Sequence, residues 1–255
     1  MRNILLTVSY DGSSYHGWAR QPGIRTVCGR MEETFSAYFH TPVVLEGASR
    51  TDAGVHANGQ AASLRTELGV PVDKIPRVFN TALADDRIEG LSDIQVVDAK
   101  EMPEGFHARY DAKGKRYIYR IRNAKLPDIF LKHYRWQVLA PLDLEAMRAA
   151  CPYIVGEKDF ACFQSSGGTP RESTVREVFS LDFFRSEEDP AEIEMRIEGS
   201  GFLYNMVRII TGTLVEVGLG KRRPEDLETI IESKDRAKAG IIAPAGGLWL
   251  DEVFY

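Results

Sequence analysis

Apolar and polar positions alternate through ILLTVSYDG, with Ile4, Leu6 and Val8 on one side, and the alternation stops at the turn pair Asp11-Gly12. A half-buried strand is the expected outcome. The spacing then lengthens to three or four. Thr26 stands as a helix N-cap before Val27, Met31, Phe35 and Tyr38, which form one apolar stripe. TPVVLEGAS returns to strand, and a second stretch of the same kind, QAASL, follows it. A helix near DKIPRVFNTAL and a strand near IQVVDA come next. The segment PEGFHARYDAKG is rich in turn formers and carries little periodicity.

The same grammar then repeats. RYIYRIRN alternates as a strand, DLEAMRAACPYIVG reads as a helix, and FSLDFF and IEMRIEG pair as a hairpin across the polar loop RSEEDPAE. In FLYNMVRIITGTLVEVG, Leu203, Val207, Ile210, Leu214 and Val217 recur at helical spacing, and Gly218 and Gly220 end the run. RPEDLETIIESKDR is a further helix with Pro224 suited to its first turn, and GLWLDEVFY closes the chain as a strand. Strands joined by hairpins and by single helices predict an α+β fold of two sheets, each with helices on a face. The division falls near residue 105, giving an N-terminal half over 1–105 and a C-terminal half over 106–255.

Composition narrows the class. A chain of 255 residues with 44% hydrophobic content builds a real core as one large domain or two smaller ones. No apolar run reaches the roughly 18 residues of a membrane span, and MRNILLTVSYDG lacks the pattern of an export signal. Cys28, Cys151 and Cys162 are odd in number and lack CxxC spacing, which argues against a disulfide framework or a thiolate zinc site. A cytoplasmic protein is expected. The net charge of −5 weighs against bulk attraction to nucleic acid but says little about a local face.

The candidate chemistry begins at residues 47–56, GASRTDAGVH. In one reading, Asp52 caps a backbone amide of a turn and Gly54 takes a positive φ. In the other, Arg50 holds the Asp52 carboxylate ionised and oriented, as a nucleophilic carboxylate requires. A metal site is poorly supported, because Gly54 lies between Asp52 and His56 and the other histidines are isolated. No GxSxG elbow points to serine hydrolysis.

A basic run follows, with Arg109, Lys113, Lys115, Arg116, Arg120, Arg122 and Lys125 against the single acid Asp111, interleaved with Tyr110, Tyr117 and Tyr119. It reads either as a solvated strand face with tyrosines packed below, or as a binding surface for unpaired nucleotides. Alternation puts Tyr117, Tyr119 and Ile121 on one side and Ile118, Arg120 and Arg122 on the other, so that arginines would meet phosphate while a tyrosine faces a cleft. Arg208, in the most amphipathic helix, is either a snorkelling surface arginine or a second guanidinium for the carboxylate.

GASRTDAGVHA resembles the catalytic signature GAGRTDAGVHA of the TruA-type tRNA pseudouridine synthases, matching ten of its eleven residues. YDGSSYHGW, an RQ pair, FHARYDAKGKRYIYRI, GEKDFACF, GFLYNMVRIITGTLVEVG and DRAKAGIIAPAGGLWL stand in the family's order and span almost the whole chain. The resemblance implies a cofactor-free isomerisation of uridine to pseudouridine in tRNA, typically at positions 38, 39 and 40 of the anticodon arm. It puts the catalytic aspartate on Asp52, its preceding arginine on Arg50, the active-site tyrosine on Tyr117, the arginine of the MVR helix on Arg208, and the leucine near the uracil on Leu248. Arg20 of the RQ pair, Arg109, Lys115 and Arg116 are the expected RNA contacts. The fold implied is α+β, two similar α/β halves with antiparallel sheets adjoining around a central basic cleft. The family usually acts as a homodimer with one tRNA touching both subunits.

The chemistry suits these residue types. Exchanging C1′–N1 for C1′–C5 requires the nucleotide to leave its stack and enter a pocket, where Tyr117 would hold the base. Asp52 attacks C1′ or takes a ribose proton on a glycal route, and both need an ionised carboxylate. Tyr117 is placed to remove the C5 proton, and Leu248 helps exclude water. Three positions depart from the family pattern. Ser49 replaces a glycine, Cys28 stands where glutamine is usual, and Ala19 interrupts WQRQ. These bear on loop geometry and substrate choice more than on reaction type, so a paralogue acting on other RNA uridines, or a noncatalytic RNA-binding protein on the same scaffold, remain as alternatives. A glycosidase releasing free uracil is a weaker one.

Overall fold

A computed structural model of the protein describes residues 1–84, 92–167 and 172–255. In chain order the elements are β1 (Arg2–Tyr10), α1 (Val27–Phe39), β2 (Leu45–Gly47), β3 (His56–Thr66), α2 (Ile75–Leu83), β4 (Ile94–Met102), β5 (Gly114–Asn123), β6 (Trp136–Val138), α3 (Leu144–Ala150), β7 (Gly156–Asp159), β8 (Val175–Arg185), β9 (Glu192–Gly199), α4 (Met206–Gly218), α5 (Asp226–Ser233) and β10 (Leu248–Phe254). The mixture of antiparallel strands and packed helices is α+β, as expected. Two compact units divide the chain: Met1–Lys113 with Trp249–Tyr255, and Gly114–Leu248. The expected division lay near residue 105; the change of unit comes after Lys113, and the last strand returns to the first unit.

In the first unit, β1 is central and antiparallel to both neighbours, with Ile4 opposite Leu64 of β3 and Glu101 of β4. β2 adds antiparallel to β3, and β10 runs parallel to it, with Trp249 beside His56 and Leu250 beside Ala57. Ile4, Leu6 and Val8 are buried, as the alternation requires. Thr26 caps α1 by accepting the Gly29 N–H. Val27, Met31 and Phe35 face the core, where Phe35 packs on Phe79 of α2 with ring centroids 4.3 Å apart. Tyr38 departs from the expected stripe and is exposed: the helix ends at the next residue, Phe39, before the left-handed cap His40, beyond the covered part of its face.

In the second unit, β5, β9, β8 and β7 form an antiparallel sheet in that order, with the β8–β9 hairpin as expected and β6 parallel on the other side of β5. α4 is its central helix; Met206, Val207, Ile209, Ile210, Leu214, Val215 and Val217 are all buried. It begins at Met206, after Leu203, because Asn205 takes a left-handed backbone (φ 60, ψ 7) that no helix continues through. At Gly212 a side chain would overlap the Ile241 carbonyl, so only glycine lets the 239–247 segment lie on this helix. α5 starts at Asp226, leaving Pro224 just ahead of it and not inside its first turn.

Candidate active site

The Asp52 loop joins β2 to β3 within the first unit, and its ends are fixed by buried polar contacts. Gln60 of β3 is fully buried and clamps Ser49 from both directions: the Ser49 N–H donates to Gln60 Oε1 at 3.2 Å, and Gln60 Nε2 donates to the Ser49 carbonyl at 2.8 Å. Ala48 N–H donates to the Ala61 carbonyl at 2.8 Å. Thr51 is buried, its Oγ1 2.7 Å from the Tyr10 hydroxyl and its carbonyl accepting the Trp18 N–H at 3.1 Å. Beyond the aspartate, Val55 N–H donates to the Asp52 carbonyl at 3.1 Å and Gly54 N–H to the Tyr15 carbonyl at 3.2 Å. Gly54 takes the expected positive φ, 77°, which closes the turn after Asp52.

Asp52 is half-buried between these anchors, and Arg50 is exposed. Groups pinned on both sides spend little conformational freedom in presenting a carboxylate. Tyr10, Tyr15 and Trp18 all come from β1 and the YDGSSYHGW segment after it, so that segment is a support for the loop. The sequence held a signal for this, since YDGSSYHGW accompanies the RTDAG signature, but nothing local in either stretch says that they touch. Gln60 was missed altogether, being one polar residue in a strand pattern.

His56 opens β3 with its imidazole fully buried. Its Nδ1 accepts the Gly12 N–H at 3.1 Å and lies 3.2 Å from Asp11 Oδ1, and its ring stacks on Trp249 at 4.3 Å. These contacts are architectural: they tie the Asp11-Gly12 turn and β10 to the start of β3. Among the described residues no group of three or more histidine, cysteine, aspartate or glutamate side chains is placed to hold a metal ion.

Two of the three departures from the family pattern, Ser49 and Cys28, look inward, while Ala19 is half-buried. Ser49 is buried, so its extra side chain lies within the loop's own packing. Cys28 is buried in the first turn of α1, with Sγ 3.7 Å from the Leu45 carbonyl, and burial pushes its thiol up to about 12. It therefore offers RNA neither a surface nor a thiolate. Cys151 and Cys162 are likewise buried and raised to about 12. Arg20 pairs at 3.1 Å with Glu32, whose other role is to accept the Leu45 N–H at 2.6 Å. Burial raises the Glu32 carboxyl, and the Leu45 amide and the Arg20 charge oppose that shift. Arg109 sits 5.6 Å over the exposed Tyr110 ring.

In the second unit, the basic strand differs from its expected form. Its outward arginines face carboxylates of β9 and of the turn before it: Arg116 meets Glu198 at 2.7 Å, Arg120 meets Glu194 at 3.7 Å, and Arg122 meets Glu192 of β9 and Asp189 of that turn at 2.9 and 2.8 Å. The register puts Arg116 opposite Glu198, Arg120 opposite Glu194 and Arg122 opposite Glu192, which makes a cross-strand ladder of opposite charges. The count of positive charge along one strand overstated the local field because the balancing acids lie some 70 to 80 residues later. Lys115 lies on the same strand opposite Gly199.

On the inner face, Tyr119 is core and Tyr117 is its less enclosed neighbour. Tyr119 is fully buried and donates its hydroxyl to the Pro244 carbonyl at 2.7 Å; burial raises its phenol far above the usual range, opposed by the Arg208 charge. Tyr117, 7% exposed, meets Phe202 edge-on with centroids 5.3 Å apart. Arg208 lies in the first turn of α4 and is half-buried. Its Nε donates to the Ala243 carbonyl at 2.7 Å, its Nη1 to Asn205 Oδ1 at 2.9 Å, and its own carbonyl accepts the Ala243 N–H at 3.1 Å. It is therefore no snorkelling surface group. Leu248 is buried at the end of the same 239–247 segment, whose Gly247 is packed against the Tyr119 ring. Tyr119, Arg208, Ala243 and Pro244 are thus brought together by contacts between β5, α4 and that segment.

A profile of the tRNA pseudouridine synthases matches residues 6–111 and 150–255, one stretch in each half of the chain. The protein is similar over its full length, and over 100% of each relative, to tRNA pseudouridine synthase A of Thermoanaerobacter sp. (strain X514) at 44% identity and to tRNA pseudouridine synthase A of Acetivibrio thermocellus at 44%. It is 41% identical to tRNA pseudouridine synthase A 2 of Clostridium tetani, covering 100% of this chain and 99% of that one. With the profile matched across most of its length and relatives matched end to end, the chain belongs to the tRNA pseudouridine synthase family, isomerases that convert uridine to pseudouridine.

Proposed function

We propose that this protein isomerises uridine to pseudouridine in the anticodon arm of tRNA, at positions 38, 39 and 40, with Asp52 as the nucleophile and Arg50 and Arg208 as further catalytic residues. The observation that carries this reading is the construction of the Asp52 loop. Gln60, Tyr10, Trp18 and Tyr15 fix the backbone on both sides of the one carboxylate in the RTDAG signature. That arrangement suits covalent attack or ribose deprotonation, each of which needs an ionised oxygen held in one place. In this reading Tyr117 and Leu248 receive the flipped uracil, and Arg20, Arg109, Lys115 and Arg116 contact RNA. The homodimer is carried over from the family resemblance, and the cytoplasmic location from the odd number and spacing of the cysteines. No described helix is long and apolar enough to cross a membrane.

Mapping the uridines isomerised in unmodified cellular RNA tests this reading. Conversion at positions 38 to 40 of tRNA supports it; conversion confined to other uridines would make the chain a paralogue of different specificity, and release of free uracil would make it a glycosidase.

Tyr117→Phe keeps the ring and loses the hydroxyl. It is expected to lower single-turnover conversion by about a hundredfold while RNA affinity stays within about twofold, the signature of lost proton transfer. An unchanged rate would remove the hydroxyl from the mechanism. Binding of tRNA is expected to weaken by at least about tenfold between 50 and 200 mM salt, as several phosphate contacts require. Filter binding across that range measures the slope, and a flat line would count against the basic contacts.

A further inference from the structure

Arg208 approaches its place through a residue that the helical pattern hides. Asn205 precedes α4 with φ 60 and ψ 7, and its side chain makes no capping bond to the helix. An asparagine at a helix start normally spends its carboxamide on a free backbone N–H. Here it is spent elsewhere. Oδ1 accepts from Arg208 Nη1 at 2.9 Å, and Nδ2 donates to Ser165 Oγ at 3.1 Å. The Ser165 N–H in turn donates to the Tyr204 carbonyl at 3.2 Å, which ties that serine to the residue before Asn205.

The left-handed backbone is what makes this possible. Asn205 still starts the helical ladder, since its carbonyl accepts the Ile209 N–H at 2.9 Å. Arg208 lies three residues on, close to one turn later, so a carboxamide held at the helix entrance reaches the guanidinium of the first turn. Asparagine is among the few non-glycine residues that adopt this backbone at modest cost, and its side chain supplies both an acceptor for the arginine and a donor for the serine. The second fixed point of the guanidinium is the Ala243 carbonyl, on Nε at 2.7 Å. Two acceptors at different nitrogens constrain the position and the plane of a rigid fork together, which neither does alone.

We propose that Asn205 is a positioning residue for the isomerisation: bridging Ser165 to Arg208, it fixes the plane of the guanidinium and so acts on the reaction through Arg208. This rests on the reading of Arg208 as a member of the active site.

Three substitutions separate the carboxamide from the backbone. Asn205→Gly permits the left-handed conformation and removes the side chain. Asn205→Asp retains an acceptor for Arg208 but cannot donate to Ser165. Asn205→Ala removes the side chain and strains the backbone as well. Single-turnover conversion of an unmodified tRNA transcript, tRNA affinity and the melting temperature are measured for each. Asn205→Gly is expected to melt near the wild type and to bind tRNA within about twofold, while the chemical step slows by about tenfold or more, as loss of one hydrogen bond to a charged group implies. Asn205→Asp is expected to recover most of that rate. In an Arg208→Lys background, Asn205→Gly is expected to add little further loss, because the group it orients is gone.

A wild-type rate in Asn205→Gly would overturn the proposal, as would an aspartate no better than glycine, or full additivity with Arg208→Lys. If Arg208→Lys itself reacts at the wild-type rate, the placement of Arg208 in the site fails. A slow Arg208→Lys beside an unimpaired Asn205→Gly sinks the inference about Asn205 alone.

Discussion

Asp52→Asn is expected to lower single-turnover pseudouridine formation by at least about a thousandfold while leaving the fold and tRNA affinity close to those of the wild type. Asparagine keeps the size and the polar character of the side chain, so the turn closed by Val55 and Gly54 has no reason to open. What is lost is the ionised oxygen. The amide can neither bond to C1′ nor take a proton from the ribose, so both routes to glycosidic cleavage close together. The measurement is conversion of unmodified tRNA under enzyme excess, with the melting temperature and tRNA binding taken on the same preparation. Retained conversion would remove Asp52 from the chemistry and leave its loop a structural turn; a wild type that binds tRNA but converts nothing would favour the noncatalytic scaffold.

Gln60→Met should produce the largest effect from outside the proposed site. Methionine matches glutamine in length and packs in the same space, yet it strips the Ser49 N–H and carbonyl of their partners in the interior. Leaving buried backbone groups unsatisfied costs about 1–3 kcal/mol each, so a total of about 2–4 kcal/mol is expected where the loop relaxes in part. For a chain of this size each kcal/mol lowers Tm by about 2–4 °C, giving a fall of roughly 4–16 °C. Conversion should fall with it even at temperatures where the protein is folded, because Ser49 is the near anchor of the Asp52 loop. A variant with an unchanged melting point and unchanged rate would show that Tyr10, Trp18 and Tyr15 suffice to hold the loop.

Much of this was legible from the chain alone. The period of apolar positions placed the five α-helices among the described residues and the main strands, the Thr26 cap included, because those signals lie within a few neighbouring residues. The family signature could be read directly, and the profile and the relatives bear it out. Boundaries were less legible where a backbone angle overrides the pattern. The apolar spacing of FLYNMVRII runs smoothly through Asn205, while the left-handed residue there postpones α4 to Met206. Tyr38 shows the converse, a residue in register with the stripe that stays exposed, its ring meeting that of Phe39 edge-on.

The sequence by itself determined the α+β class, the two halves, the family and the signature that carries Asp52. Only the tertiary structure decided what holds that signature: Gln60 on Ser49, Tyr10 and Trp18 on Thr51, and Tyr15 on Gly54. It also decided that Arg116, Arg120 and Arg122 face glutamates of β9, that Tyr119 belongs to the core, and that Asn205 and Ala243 hold Arg208. The physical reason is range. Helix and strand periods are written in spacings of two to four residues, whereas the partner of a buried polar group or a charge is set by strand register and packing, which join positions tens of residues apart.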